Sequence, residues 1–92
     1  MTYTVEFLPR ALRQLHKLPR KAQRLAMAHI EALATDPRPA DSKLLHGALT
    51  GIRRIRVGAY RVLYEIQEER LRVLVIAAGP RSTVYQDAAR RQ

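Results

Sequence analysis

The sequence predicts an α+β fold in which an N-terminal strand and an antiparallel helical hairpin precede a three-stranded antiparallel meander packed on the helices. Three observations lead there. The opening MTYTVEF alternates polar and apolar residues, residues 9–33 carry Leu, Ile and Ala at three- and four-residue spacing, and residues 51–76 alternate again around two turns.

Taken in order, Tyr3, Val5 and Phe7 alternate with Thr4 and Glu6, which gives a first strand over Tyr3–Leu8 with one buried face. Pro9 ends it and suits the first turn of a helix, where a missing N–H costs nothing. Ala11, Leu12, Leu15 and Leu18 then mark a short helix, and Pro19 interrupts the pattern while pre-setting a second start. Ala22, Leu25, Ala26, Ile30 and Leu33 predict a second helix of about 15 residues that stops before Asp36-Pro37. Pro37, Pro39, Asp41, Ser42 and Gly47 mark a connecting loop, within which Lys43-Leu44-Leu45 adds a short extended piece.

The stretch GIRRIRVGAYRVLY, Gly51 to Tyr64, reads as a hairpin turning at Gly58-Ala59. That turn sets Val57 opposite Tyr60, Arg56 opposite Arg61, Ile55 opposite Val62 and Arg54 opposite Leu63. One face then holds Ile55, Val57, Tyr60, Val62 and Tyr64, and the other Arg54, Arg56 and Arg61. Two arginines facing each other cost roughly 0.2–1 kcal/mol, a loss that a bound polyanion would reverse; a solvated basic face is the other reading. A second turn near Glu68-Glu69 pairs Ile66 with Leu71, Tyr64 with Val73, Val62 with Val75 and Glu65 with Arg72. The run Val73–Ile76 suits a central strand partly covered on both sides, and Gly79-Pro80 ends it. Arg81–Thr83 is expected as a loop and Val84–Gln92 as a short, basic, frayed helical segment. With the helices on one face, the opposite face should be concave and basic.

Ninety-two residues make a single domain spanning 1–92 that buries about 60–65% of its unfolded surface. The chain has no cysteine, and His16, His29 and His46 show no ligand spacing, so neither a disulfide framework nor a metal or other cofactor is expected. No secretion signal or membrane span is recognisable, which predicts a soluble, cytoplasmic protein without membrane partners. The net charge of +9, carried mostly by Arg, favours a nucleic acid or an acidic protein as partner. Tyr3, Phe7, Tyr60 and Tyr64 sit at inward strand positions, so only Tyr85 is left over and no stacking platform for single strands remains.

The motifs KLPRKAQ, DPRP, the hairpin L-x-G-x-x-x-G-I-R-R-I-R-V-G-x-Y-R-V-L-Y-E and the final V-I-A-A-G-P-R-S-T-V-Y together resemble the RelE/ParE family of bacterial toxins from type II toxin–antitoxin systems. The resemblance spans nearly the whole chain. It implies either cleavage of messenger RNA in the ribosomal A site, as in RelE-like members, or inhibition of DNA gyrase, as in ParE-like members. It also implies an acidic antitoxin as partner, with the ribosome and mRNA (or gyrase) as target. A toxin fold kept only as an interaction module is a third possibility.

By that resemblance, Arg54 and Arg56 would bind substrate while Arg61, Arg81 and Tyr85 would be catalytic. The family's reaction is attack of a ribose 2′-OH on the neighbouring phosphate, without a metal. It needs a base for the hydroxyl, positive charge for the transition state and a proton for the leaving 5′-oxygen. Arginines serve the second need well, and Tyr85 would serve the first if nearby arginines favour its phenolate. Two positions depart from the family pattern: Ile52, where some RelE-like members carry Lys, and Pro80, where many members carry Lys or His.

Overall fold

In the computed structural model, which describes residues 2–90, the elements run β1 (Thr4–Phe7), α1 (Pro9–His16), α2 (Arg20–Ala32), β2 (Lys43–Leu44), β3 (Ile52–Val57), β4 (Tyr60–Gln67), β5 (Arg72–Pro80) and α3 (Arg81–Ala89). The strands form a five-stranded mixed sheet in the order β1-β5-β4-β3-β2, with β1 parallel to β5 and the other pairs antiparallel. The α+β class and the helical hairpin followed by a meander are as expected; β2 adds an edge strand beside β3.

Proline placement shapes the helical hairpin. Pro9 occupies the first turn of α1, and Pro19, with φ −54° and ψ 147°, is the extended residue that starts α2. The Gln23 amide donates to the carbonyls of His16 and Leu18 at 3.0 and 2.9 Å, satisfying the end of α1 from the next helix. Ala11, Leu15, Leu18, Ala26, Ile30 and Leu33 are buried against Ile55, Val57, Val62, Tyr64, Val73 and Val75 of the sheet. Leu12 and Leu25 share the helical spacing but are 41% and 47% exposed, because the sheet covers only a narrow stripe of each helix.

Tyr64 ties this core to the loop after α2. Its side chain is 0% exposed and its hydroxyl donates to the Pro37 carbonyl at 2.7 Å, while Arg53 Nε donates to Ser42 Oγ at 3.3 Å. Burial pushes the phenol above the ordinary tyrosine range. The neutral phenol therefore contributes stability below that range, and this is lost as pH rises through the folded value. Tyr64→Phe leaves the Pro37 carbonyl without a donor and should cost about 1–3 kcal/mol, read as a lower urea midpoint. The variant should also lose less of its remaining stability than the parent under alkaline conditions.

The β3–β4 register is as the sequence predicts, with Arg56 opposite Arg61 and a positive φ of 59° at Gly58, the first residue of the turn. The β4–β5 register is not. Tyr64 pairs with Val75 and Ile66 with Val73, two residues further along β5 than expected, and Gln67 rather than Glu65 faces Arg72. The turn is longer than two residues: Glu68–Arg70 form a 3-10 turn and Leu71 takes a left-handed φ of 47°, so Leu71 cannot pair with Ile66. A further shift between Leu63 and Tyr64 gives Leu63–Ala77 and Val62–Ala78 pairs, so Val62 does not meet Val75.

That irregularity leaves Ile76 as an extra residue in β5 and lets Ile76 and Ala77 both enter a second core with Leu49, Ile52, Leu63, Val84 and Ala88. The face expected to be a bare basic concavity is therefore partly covered. Arg81–Thr83 are not a loop but the first turn of α3, and the helix is docked rather than frayed, with Val84 and Ala88 both 0% exposed. Their four-residue spacing sets both on one helix face, above Leu63 and Ile52 of the sheet.

Candidate active site

Cross-strand partners share a face, so the register fixes what stands beside what. On the α3 side of the sheet, the row nearest the β3–β4 turn is Arg56, Arg61 and Gly79, and the next is Lys43, Arg54, Leu63 and Ala77. Gly79 puts no side chain into the first row and would have room for one, the nearest atom to a Cβ there being Val84 Cβ at 3.9 Å. Pro80 lies opposite Tyr60, and the Arg81 N–H donates to the Ala59 carbonyl at 3.4 Å, so α3 begins beside the hairpin turn. Arg54, Arg56 and Arg61 thus share one end of one face, and Arg81 opens the helix that starts beside it.

Their surroundings differ. Arg56 and Arg81 are exposed, and Arg61 is half-buried with its Nη1 donating to the Gly58 and Tyr60 carbonyls at 3.1 and 3.0 Å. That clamp fixes the guanidinium plane and leaves its other edge to donate elsewhere. Arg54 is only 7% exposed, the one buried charged side chain among the described residues, so it underlies the site rather than lining an open surface. Tyr85 lies four residues after Arg81, on the same side of α3, and is half-buried against the second core. It therefore has a packing role that the sequence did not reveal, without being sealed from solvent.

Among the described residues no counter-ion answers this charge. The ion pairs among the described residues are Arg38–Glu68 at 3.0 Å and Arg72–Glu6 at 2.8 Å, both at the far end of the sheet. Along β4 that separation is roughly 20 Å at about 3.4 Å per residue. Glu68, which also accepts from the Tyr3 hydroxyl at 2.9 Å, is held below the ordinary carboxylate range by that hydroxyl and by Arg38. An open cleft of about 620 Å3 at that end is lined by Glu68 and Glu69 together with Arg70 and Arg72, so its charges balance where the other end of the sheet is basic. Among the described residues no three of His, Asp and Glu cluster as metal ligands would. No helix there is long and apolar enough to cross a membrane.

Sequence reasoning passed over Lys43. Its place beside Arg54 depends on a pairing between β2 and β3 that closes a long loop, and only the short extended piece hinted at it.

Comparisons with known proteins agree with this architecture. Residues 5–85 match the family model described as ParE toxin of type II toxin-antitoxin system, parDE. Toxin RelG of Mycobacterium tuberculosis (strain ATCC 25618 / H37Rv) is 36% identical over 89 residues, covering 92% of this chain and 98% of the relative. The toxin–antitoxin complex RelBE2 of M. tuberculosis contains a chain with a TM-score of 0.80 and 32% identity, covering 89% of this chain and 94% of that one. A mutant of E. coli toxin RelE in the free state gives a TM-score of 0.81 at 27% identity, covering 99% and 98%. With the fold, the docked α3 and these relatives in agreement, the chain belongs to the RelE/ParE family of toxins of type II toxin–antitoxin systems.

Proposed function

We propose that this toxin blocks translation as a ribosome-dependent endoribonuclease, cutting messenger RNA at the arginine cluster, and that an acidic antitoxin holds it in check. One observation carries the reading: Arg56 and Arg61 face each other across β3 and β4, Arg81 starts the adjoining helix, and no carboxylate among the described residues pairs with them. Like charges so placed cost stability in the free protein and gain it on binding a phosphodiester.

In this mechanism the 2′-oxygen of one nucleotide attacks the adjacent phosphorus, the P–O5′ bond breaks, and the products are a 2′,3′-cyclic phosphate and a free 5′-hydroxyl. Arg61, already oriented by the turn carbonyls, and Arg81 stabilise the charge that builds on the non-bridging oxygens. The start of α3 adds positive potential, since no side chain caps it and its first turn has no acid. Arg56 positions the RNA backbone, and Arg54, with Lys43 beside it, supplies positive field from beneath. Tyr85 accepts the 2′-OH proton. Pro80 offers no proton, so the leaving 5′-oxygen takes its own from water or from a ribosomal group.

Inhibition of DNA gyrase is the second reading, favoured by the match to the ParE family model. Induction of the chain in cells, followed by primer extension on several messages, separates the two. Growth arrest with cuts phased to codons supports the nuclease, whereas growth arrest with intact messages and damaged DNA supports gyrase as the target.

A further inference from the structure

One amide side chain joins the helical hairpin to the helix that carries Arg81 and Tyr85. Among the described residues no strand pairs with the outer edge of β5 beyond Val75, where β1 gives way to α1. The Ala78 N–H points out of that edge and would be an orphan donor there; it donates instead to Gln14 Oε1 of α1 at 2.9 Å. The other end of the same amide, Nε2, lies 3.5 Å from Asp87 Oδ2 on α3, longer than a tight hydrogen bond. Gln14 therefore spans from the first helix, across the open strand edge, to α3. No other side-chain hydrogen bond among the described residues links α1 to α3, and beside the bridge an open cleft of about 380 Å3, lined in part by Lys17, Tyr60 and Pro80, keeps the two apart.

The sheet alone leaves one motion of α3 loosely set. Val84 and Ala88, one turn apart, seat the helix on the second core, and two small side chains in line fix its position better than its rotation about its own axis. Asp87 lies two residues, about 200°, around the helix from Tyr85, so a pull on one flank moves the other the opposite way. A roll of about 10° at a helix radius of about 5–6 Å displaces a side chain by about 1 Å, and a misplacement of that size costs about 100-fold in rate.

We propose that Gln14 is a positioning residue: holding both the Ala78 N–H and Asp87, it sets the roll of α3 and with it the approach of Arg81 and Tyr85 to the scissile phosphate. The inference rests on the nuclease reading, whose groups it places. Gln14 itself touches no reacting atom.

The test is an exchange of the two partners. Gln14→Glu keeps the acceptor for the Ala78 N–H but sets a carboxylate against Asp87, and adding Asp87→Asn restores a donor and an acceptor, reversed in direction, at the parent's net charge. Purified full-length chains are compared for cleavage of ribosome-bound message, melting temperature and amide NMR spectra. Gln14→Glu should lower kcat about 10- to 100-fold, leave KM within about twofold and shift the amides of residues 81–88. The paired substitution should bring kcat back to within about threefold of the parent and return those amides towards their original positions. Asp87→Ala, which leaves the strand edge untouched, should lower kcat about three- to tenfold at an unchanged melting temperature. Gln86→Glu, which adds the same charge at an exposed place on α3, should change kcat less than about twofold. Parental rates for Gln14→Glu or Asp87→Ala, a paired variant as slow as Gln14→Glu, a loss carried by KM alone, or an equal effect of Gln86→Glu overturns the proposal. If the parent cleaves no message while the amides of residues 81–88 still follow the exchange, the nuclease reading fails and Gln14 stands as the residue that orients α3.

Discussion

Arg81→Ala is expected to slow cleavage of ribosome-bound message by about 100- to 1,000-fold, the range seen when one donor to a developing oxyanion is removed. The change should fall on kcat, because the interaction strengthens as charge builds on the phosphate. Arg81 is exposed and makes no side-chain hydrogen bond among the described residues, so thermal unfolding should be nearly unchanged and the effect can be assigned to chemistry. Arg61→Ala should lose activity to the same extent, but it also removes the clamp on the turn carbonyls and should cost about 1 kcal/mol of stability. Purified variants assayed for cleavage rate beside their melting curves separate these two contributions. Wild-type rates for Arg81→Ala would remove Arg81 from the mechanism.

Val84→Asp should abolish activity by a different route. Val84 is 0% exposed between α3 and the second core, so the substitution buries a carboxylate among Leu49, Ile52, Leu63 and Ile76. The cost, several kcal/mol, exceeds what a nine-residue helix gains from its own backbone, and α3 should leave the sheet. Arg81 and Tyr85 go with it. The first core between the helical hairpin and the sheet does not include Val84, so a cooperative transition should survive at lower temperature. Amide exchange would show the loss confined to residues 81–90 and their contacts; a uniform loss of protection would mean that the two cores unfold as one.

Local pattern made much of this fold legible. Alternation in Gly51–Tyr64 has one register once Gly58 takes the turn, and the pairing of Arg56 with Arg61 follows directly. Two strands joined by a two-residue turn leave little freedom. The β4–β5 connection was harder because Glu68–Leu71 contains neither Gly nor Asn, and a left-handed leucine has no sequence signature. A slip of two residues keeps every side chain on its face, so the inward set Tyr64, Val73 and Val75 was correct although the partners were not.

The covered second face was missed for a related reason. Ile52, Leu63 and Ala77 share a face with the arginines, and their apolar character was visible, but nothing local indicated that Val84 and Ala88 would return to cover them. Part of the site was legible for the same local reasons: the arginine face came from the alternation and Tyr85 from having no inward strand position, while Arg81 and the catalytic roles came only from the family resemblance. What eluded the sequence was depth. Arg54 and Arg56 alternate identically, yet one lies under the second core's edge and the other at the open end of the sheet.

The account stands on the claim that this arginine cluster drives a ribose hydroxyl onto its own phosphate. A message carrying a single 2′-deoxynucleotide on the 5′ side of a mapped cleavage site, presented on ribosomes to the purified protein, tests it directly. Cleavage should vanish at that bond alone and persist at other sites, with cyclic phosphate ends wherever cuts occur. Equal cutting at the deoxy position, or 5′-phosphate ends, would contradict it.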